Sequence, residues 1–137
     1  MTDADLVGKR LALIETYVRE LRELARIDRI ATDVREERFV EHTLQLAVQA
    51  AVDVASHVVS DERLGEPATN VELFRVLARN GWIPEALADT LRDAAGFRNV
   101  LVHGYASVDL EVVRDVVENH LDDLLAFAAA IRTRLVG

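Results

Sequence analysis

Apolar residues recur along this chain at alternating steps of four and three, the spacing of a helix with one face in a core. The first such run predicts a helix from about Asp3 to Arg26. Half of all residues are apolar but only 5% are aromatic, which suits a helix bundle better than a barrel or sandwich. These patterns predict an all-α fold. The apolar positions of the first helix are Val7, Leu11, Ile14, Val18, Leu21 and Ala25.

The second predicted helix, from about Asp33 to Val59, is apolar on nearly every side after a charged first turn. A helix that is apolar all round has to be covered all round. In a domain this small, the pattern therefore predicts that one of its faces packs against a second copy of the chain.

Cap and stop residues divide the rest of the chain. Asn70 is expected to cap a short helix that ends at Asn80-Gly81. Pro84 suits the first turn of a fourth helix, and Gly104 is expected to end it. Asp109 is expected to cap a single last helix. The sequence thus predicts four main helices plus one short helix, with residues 1–137 as one domain.

The composition excludes several classes of protein. The chain has no Cys, so disulfides, thiolate metal sites and a cysteine nucleophile are excluded. Its polar, acidic start does not resemble a signal peptide, and no apolar run approaches the ~20 residues of a membrane span. We therefore expect a soluble cytoplasmic protein that does not bind a membrane. The net charge of −8 repels nucleic acid over most of the surface, so any contact with RNA has to be local.

The segment Arg98–Tyr105 reads Arg-Asn-Val-Leu-Val-His-Gly-Tyr and combines a permanent cation, an imidazole and a phenol near a predicted helix end. Because imidazole titrates near neutral pH, His103 suits removal of a proton from a ribose 2′-hydroxyl or protonation of a leaving 5′-oxygen. The donors of Arg98 fit phosphate oxygens, and Asn99 can orient His103 or the phosphate. Tyr105 can stack on a base, be modified on its hydroxyl, or simply pack at the helix end.

This scheme requires no metal ion and no cofactor. An apolar helix stripe with a capping His and Gly is the alternative that spacing alone leaves open. Arg98 and His103, five residues apart, lie about 140° from each other on a helix, whereas Asn99 and His103 share a face. Two copies meeting at a two-fold axis would combine the groups in one cleft, which predicts a homodimer.

A motif of this form, late in a small helical chain, resembles that of the HepT-type toxins of the HEPN superfamily. Three further segments match that family in order and place: Arg38-Phe39-Val40-Glu41, Ala51-Val52-Asp53-Val54-Ala55-Ser56-His57 and Phe97-Arg98-Asn99. The resemblance implies a dimeric helical bundle with facing motifs and metal-independent cleavage of tRNA or mRNA. It also implies a minimal nucleotidyltransferase as antitoxin, in a type VII-like pair, which neutralises the toxin by transferring AMP from ATP to Tyr105.

Polar residues also recur at four-residue steps on the second helix, at Gln45, Gln49, Asp53 and His57. From the residues alone, a hydrogen-bonded strip at a subunit or helix interface is the favoured interpretation. The family resemblance adds Asp53 as a further candidate lining the cleft. Asp53 and His57 supply only two metal ligands, and the four His residues lie far apart in sequence, so no metal site is expected.

Two hypotheses of different classes follow. The first is a HepT-like ribonuclease toxin with Arg98, Asn99 and His103 in the catalytic site and Tyr105 as the point of control. The second is a non-catalytic helical dimer that binds a nucleotidyltransferase partner or a nucleotide. The acidic charge and the absence of a basic cluster in the sequence favour the second hypothesis.

Overall fold

Every regular element is helical in residues 2–103 and 108–136, the ranges that the computed structural model describes. The prediction of an all-α fold is therefore confirmed. Six α-helices and one 3₁₀ turn, Ile27–Arg29, follow one another in these ranges. The α-helices are α1 Ala4–Leu24, α2 Val34–Asp61, α3 Asn70–Arg79, α4 Glu85–His103, α5 Leu110–Asn119 and α6 Leu121–Val136.

Aspartate side chains cap three of these helices. Asp3 accepts hydrogen bonds from the first backbone N–H groups of α1, Asp33 from those of α2, and Asp109 from Glu111 N at 2.9 Å. Such a cap satisfies amides that have no partner within the helix and contributes about 1 kcal/mol. The cap predicted at Asp109 is confirmed, whereas Asn70 is the first residue of α3 and the cap position belongs to Thr69.

Ion pairs between distant residues show how the helices pack. Arg22 pairs with Asp122, and Arg132 pairs with Glu15, so α1 and α6 run antiparallel. The core between the helices is apolar, and within it the rings of Phe74 and Phe127 meet edge to face with centroids 5.7 Å apart. Edge-to-face contacts stabilise aromatic pairs beyond the area that they bury.

Helix α2 is the most buried of the described helices, and one chain covers most of its apolar residues, although Val34 in its first turn is 64% exposed. Twelve of its residues are buried, including Leu44, Val48 and Ala55. The positions of α2 that stay partly or fully exposed include the polar His42, Gln49 and Ser56. The apolar pattern of α2 therefore does not by itself require a second copy of the chain, and the homodimer remains a prediction that rests on the motif.

The prediction of a single last helix is wrong, and with it the count of four main helices plus a short one. The helix ends at Asn119 and a new one begins at Leu121. Between them His120 leaves helical geometry at φ −123° and ψ 3°. Its ring contacts Asp115 on α5, with Nε2 3.3 Å from Oδ2, and Asp123 on α6, with Nδ1 3.1 Å from Oδ2. The His120 ring therefore links α5 to α6 across the break between them.

None of the helices in the described ranges combines the length and the apolar character that crossing a membrane requires.

Candidate functional site

Arg98 lies on the inner side of α4, which gives its side chain a half-buried position. The helix buries Leu91 and Ala95 against the core, and Arg98 follows Leu91 by seven residues, which is two turns on the same face. Its Nε is buried and makes no hydrogen bond within the described part of the chain. A guanidinium nitrogen in such a place is available to a ligand, because an unsatisfied buried donor costs about 1–3 kcal/mol.

Asn99 holds the guanidinium from the neighbouring position on the same helix. Arg98 donates from Nη1 to Oδ1 of Asn99 over 3.1 Å. Asn99 itself is exposed. Among the described residues no carboxylate forms an ion pair with Arg98, and its positive charge is therefore not neutralised there.

His103 is the last residue of α4, but its side chain lies outside the described residues. Tyr105 and Gly104 also lie outside them, so the roles predicted for His103 and Tyr105 stay predictions. Helix α4 is continuous from Arg98 to His103. The backbone therefore attaches these two side chains about 140° apart around the helix axis, as the spacing predicted.

Asp53 contacts residues of α1 and α2, and among the described residues no hydrogen bond or ion pair joins it to Arg98. It accepts a hydrogen bond from Gln49 Nε2 over 2.9 Å, and its Oδ2 lies 3.6 Å from Arg10 Nη1. A hydrogen-bonded strip between helices describes these contacts. The Oε1 atom of Gln49 is buried with no hydrogen-bond partner in the described part of the chain, so the strip is only partly satisfied.

Glu41 is a half-buried carboxyl group that the sequence analysis singled out only as part of a matching segment. Burial raises the pKa of Glu41, with a further rise from Glu37, while Arg38 acts in the opposite direction. Its Oε2 is buried and has no hydrogen-bond partner among the described atoms. A lone carboxylate beside the apolar positions Val40 and Leu44 was the signal that could have identified it.

No three His, Cys, Asp or Glu side chains in the described residues are grouped so that they could hold a metal ion.

The helical bundle, with a half-buried Arg98 on α4, has the architecture of the HEPN-type toxins whose solved structures it matches. The model of the family described as Ribonuclease HepT-like matches residues 14–131. The chain belongs to this HepT-like family.

Two curated relatives and one solved structure are similar over nearly the whole chain. The mRNA nuclease HepT of Shewanella oneidensis is 29% identical over 129 residues, which are 93% of this chain and 97% of that protein. The tRNA nuclease HepT of Aphanizomenon flos-aquae is 29% identical over 133 residues, covering 96% and 90%. The structure is a tri-AMPylated HEPN toxin of Shewanella oneidensis in complex with an MNT antitoxin. It has a TM-score of 0.88 and 28% identity, and covers 97% of this chain and 99% of that one.

Proposed function

We propose that this chain is the ribonuclease toxin of a HEPN/MNT toxin–antitoxin pair and that it cleaves cellular RNA without a metal ion. The family and the two nucleases at 29% identity support this class of activity. The observation that carries the proposal is the Arg98 guanidinium, which is oriented by Asn99 and free of any carboxylate partner in the described part of the chain. A phosphate group is the natural ligand of such a cation.

The proposed reaction is attack of a ribose 2′-hydroxyl on the adjacent phosphorus. His103 takes the 2′-hydroxyl proton, the 2′-oxygen bonds to phosphorus, and the bond from phosphorus to the 5′-oxygen breaks. The leaving oxygen takes a proton from a second imidazole, so the products are a 2′,3′-cyclic phosphate and a 5′-hydroxyl. Arg98 stabilises the negative charge that gathers on the five-coordinate phosphorus.

The second imidazole comes from a second copy of the chain in this proposal. Arg98 and His103 are attached about 140° apart on a continuous α4, so one helix does not direct both at one phosphate. A symmetric dimer with the two α4 ends facing each other supplies two of each residue to a shared cleft. Asp53, which pairs with Arg10, then contributes by holding α1 against α2.

Tyr105 is the proposed point of control. Its phenol oxygen attacks the α-phosphorus of ATP held by the nucleotidyltransferase partner, the bond between the α- and β-phosphates breaks, and pyrophosphate leaves with the phenol proton lost to solvent. The product is an AMP-tyrosine two residues after His103. It adds negative charge and bulk at the cleft, so RNA phosphates are repelled.

Induced expression tests the nuclease. Wild type is expected to arrest growth and degrade total RNA, whereas Arg98→Ala and His103→Ala lose at least about 100-fold of the cleavage rate. Arg92→Ala is the matched control, because Arg92 lies on the same helix and pairs with Asp89. Intact RNA with wild type, or equal cleavage by His103→Ala, would overturn the proposal.

Co-expression tests the control step. The nucleotidyltransferase is expected to rescue growth of cells that express wild type but not of cells that express Tyr105→Phe, and mass spectrometry is expected to find AMP on Tyr105 only. The acidic net charge keeps the non-catalytic dimer as the second candidate. Harmless expression, with partner binding that survives Arg98→Ala, would establish that candidate instead.

A further inference from the structure

A groove of about 260 Å³ opens between α2, α4, α5 and α6, on the side of the molecule where α4 is followed by α5. Phe97, the neighbour of Arg98, forms part of one wall, and Val112 near the start of α5 forms part of another. Val112 is 41% exposed, which is unusual for an apolar residue that faces other apolar residues. The apolar lining consists of Val48, Leu91, Ala94, Phe97, Val112, Val116 and Leu124.

The polar rim of this groove is acidic. Asp93 of α4, Asp115 of α5 and Asp123 of α6 line it together with Thr90 and His120. His120 contacts the last two carboxylates. Asp93 forms no ion pair within the described ranges. Since one imidazole carries at most one positive charge, the rim stays negative whether or not His120 is protonated.

The size of the groove favours side chains of a partner protein over a free small molecule. Pockets that bury a drug-sized ligand usually measure about 300–1,000 Å³, and this groove is smaller. Anchor pockets at protein interfaces, by contrast, receive one or two apolar side chains surrounded by polar contacts. The acidic rim selects a partner that places lysine or arginine beside those anchors.

We propose that this groove docks the nucleotidyltransferase antitoxin, which inserts an apolar anchor flanked by basic side chains. The inference rests on the proposed function, in which that enzyme modifies Tyr105. Tyr105 lies between α4 and α5 in the sequence, and both helices wall the groove. Tyr105 follows the end of α4 by two residues and precedes the start of α5 by five, so an enzyme docked on these two helices is bound beside the segment that carries its target.

Binding of the purified nucleotidyltransferase encoded beside this chain tests the proposal. The toxin carries His103→Ala so that it can be produced, and the dissociation constant is measured by calorimetry. Asp93→Lys and Val112→Arg are each expected to weaken binding at least tenfold, because they reverse the rim charge and fill the apolar wall. Asp89→Lys, the same change four residues earlier on α4 and outside the groove, is expected to stay within about twofold of the parent.

The dependence of binding on salt separates a loss of charge attraction from damage to the fold, because damage to the fold would not change that dependence. Parent binding is expected to weaken as NaCl rises, and Asp93→Lys to flatten that dependence while its melting temperature stays unchanged. Parent-like binding by both groove variants, or no binding by the parent, overturns the docking surface.

RNA cleavage is measured separately on the same substitutions in chains that keep His103, without the partner. Asp93→Lys is expected to cleave RNA at the same rate as wild type. If wild type itself leaves RNA intact, the nuclease proposal fails, while the binding data still decide the docking surface.

Discussion

Arg98 donates a hydrogen bond from Nη1 to Oδ1 of Asn99, the next residue on α4, over 3.1 Å. Successive residues of a helix point about 100° apart, so Asn99 reaches the guanidinium from the side, and Arg98 Nε has no hydrogen-bond partner among the described residues. A neutral amide oxygen orients the cation without cancelling its charge. The phosphate clamp proposed for Arg98 therefore needs an acceptor at position 99 that carries no negative charge.

Asn99→Asp tests this requirement, because the carboxylate keeps the hydrogen bond but neutralises Arg98. We expect a fall of about 100-fold in kcat/KM for cleavage of a defined RNA, against about tenfold for Asn99→Ala. Asn70→Asp, which adds the same charge at the start of α3, is the control and should leave cleavage unchanged. Wild-type activity in Asn99→Asp would show that Arg98 does not act as a phosphate clamp.

Glu15→Gln should destabilise the fold in a pH-dependent manner. The hydrogen bond from Arg132 holds the pKa of Glu15 below its usual range, despite some opposing desolvation. This stabilisation is therefore present above the ordinary glutamate pKa of about 4.3 and is lost as the pH falls through the lower folded-state pKa. Both side chains are 41% exposed, so the loss at pH 7 should be below about 1 kcal/mol.

Urea denaturation of wild type and Glu15→Gln across this pH range measures the effect. Glu23→Gln, on an exposed position of α1, is the matched control. A difference between Glu15→Gln and wild type that does not change with pH would contradict the assignment to the ion pair.

Glu41→Gln should change the stability of the fold in the opposite direction to Glu15→Gln. Burial raises the pKa of Glu41, so the folded state disfavours its charged form. The resulting destabilisation is present above the raised folded-state pKa and disappears below the ordinary pKa, where both states are protonated. We expect Glu41→Gln to raise the melting temperature at pH 7 by a few degrees at most and to have no effect in acid, as measured by calorimetry. A lower melting temperature at pH 7 would indicate a partner for the carboxylate.

Gly8 and Gly81 should respond to alanine in opposite directions. Gly8 lies within α1 with no atom near the position that a Cβ would take, so Gly8→Ala should stabilise by about 0.5–1 kcal/mol. Gly81 has φ +77° after the end of α3, a conformation that an L side chain strains, so Gly81→Ala should cost about 1 kcal/mol. Denaturation midpoints of the two variants measure these effects. Midpoint shifts of the same sign would contradict the argument from backbone conformation.

Local patterns predicted the helices and several of their boundaries. The apolar stripe of α1, the cap at Asp109 and the end of α3 at Asn80-Gly81 involve residues within one or two turns of each other. Caps and turns of this kind depend on neighbours in sequence, so the sequence alone sufficed. The family was predicted from the resemblance of the Arg98–Tyr105 motif and three further segments to known proteins, and the family is confirmed.

Other features follow from contacts that the sequence pattern does not mark. The last predicted helix is interrupted at His120 with no Gly or Pro to mark the break, and the His120 ring contacts carboxylates on both sides of it. Asp53 contacts Gln49 and Arg10, which lie on α2 and on α1 packed against it. The sequence by itself determined the all-α fold, most of the helices and the family. Only the tertiary structure decided which polar groups are paired and where the acidic groove opens, because burial and ion pairing depend on how the helices pack.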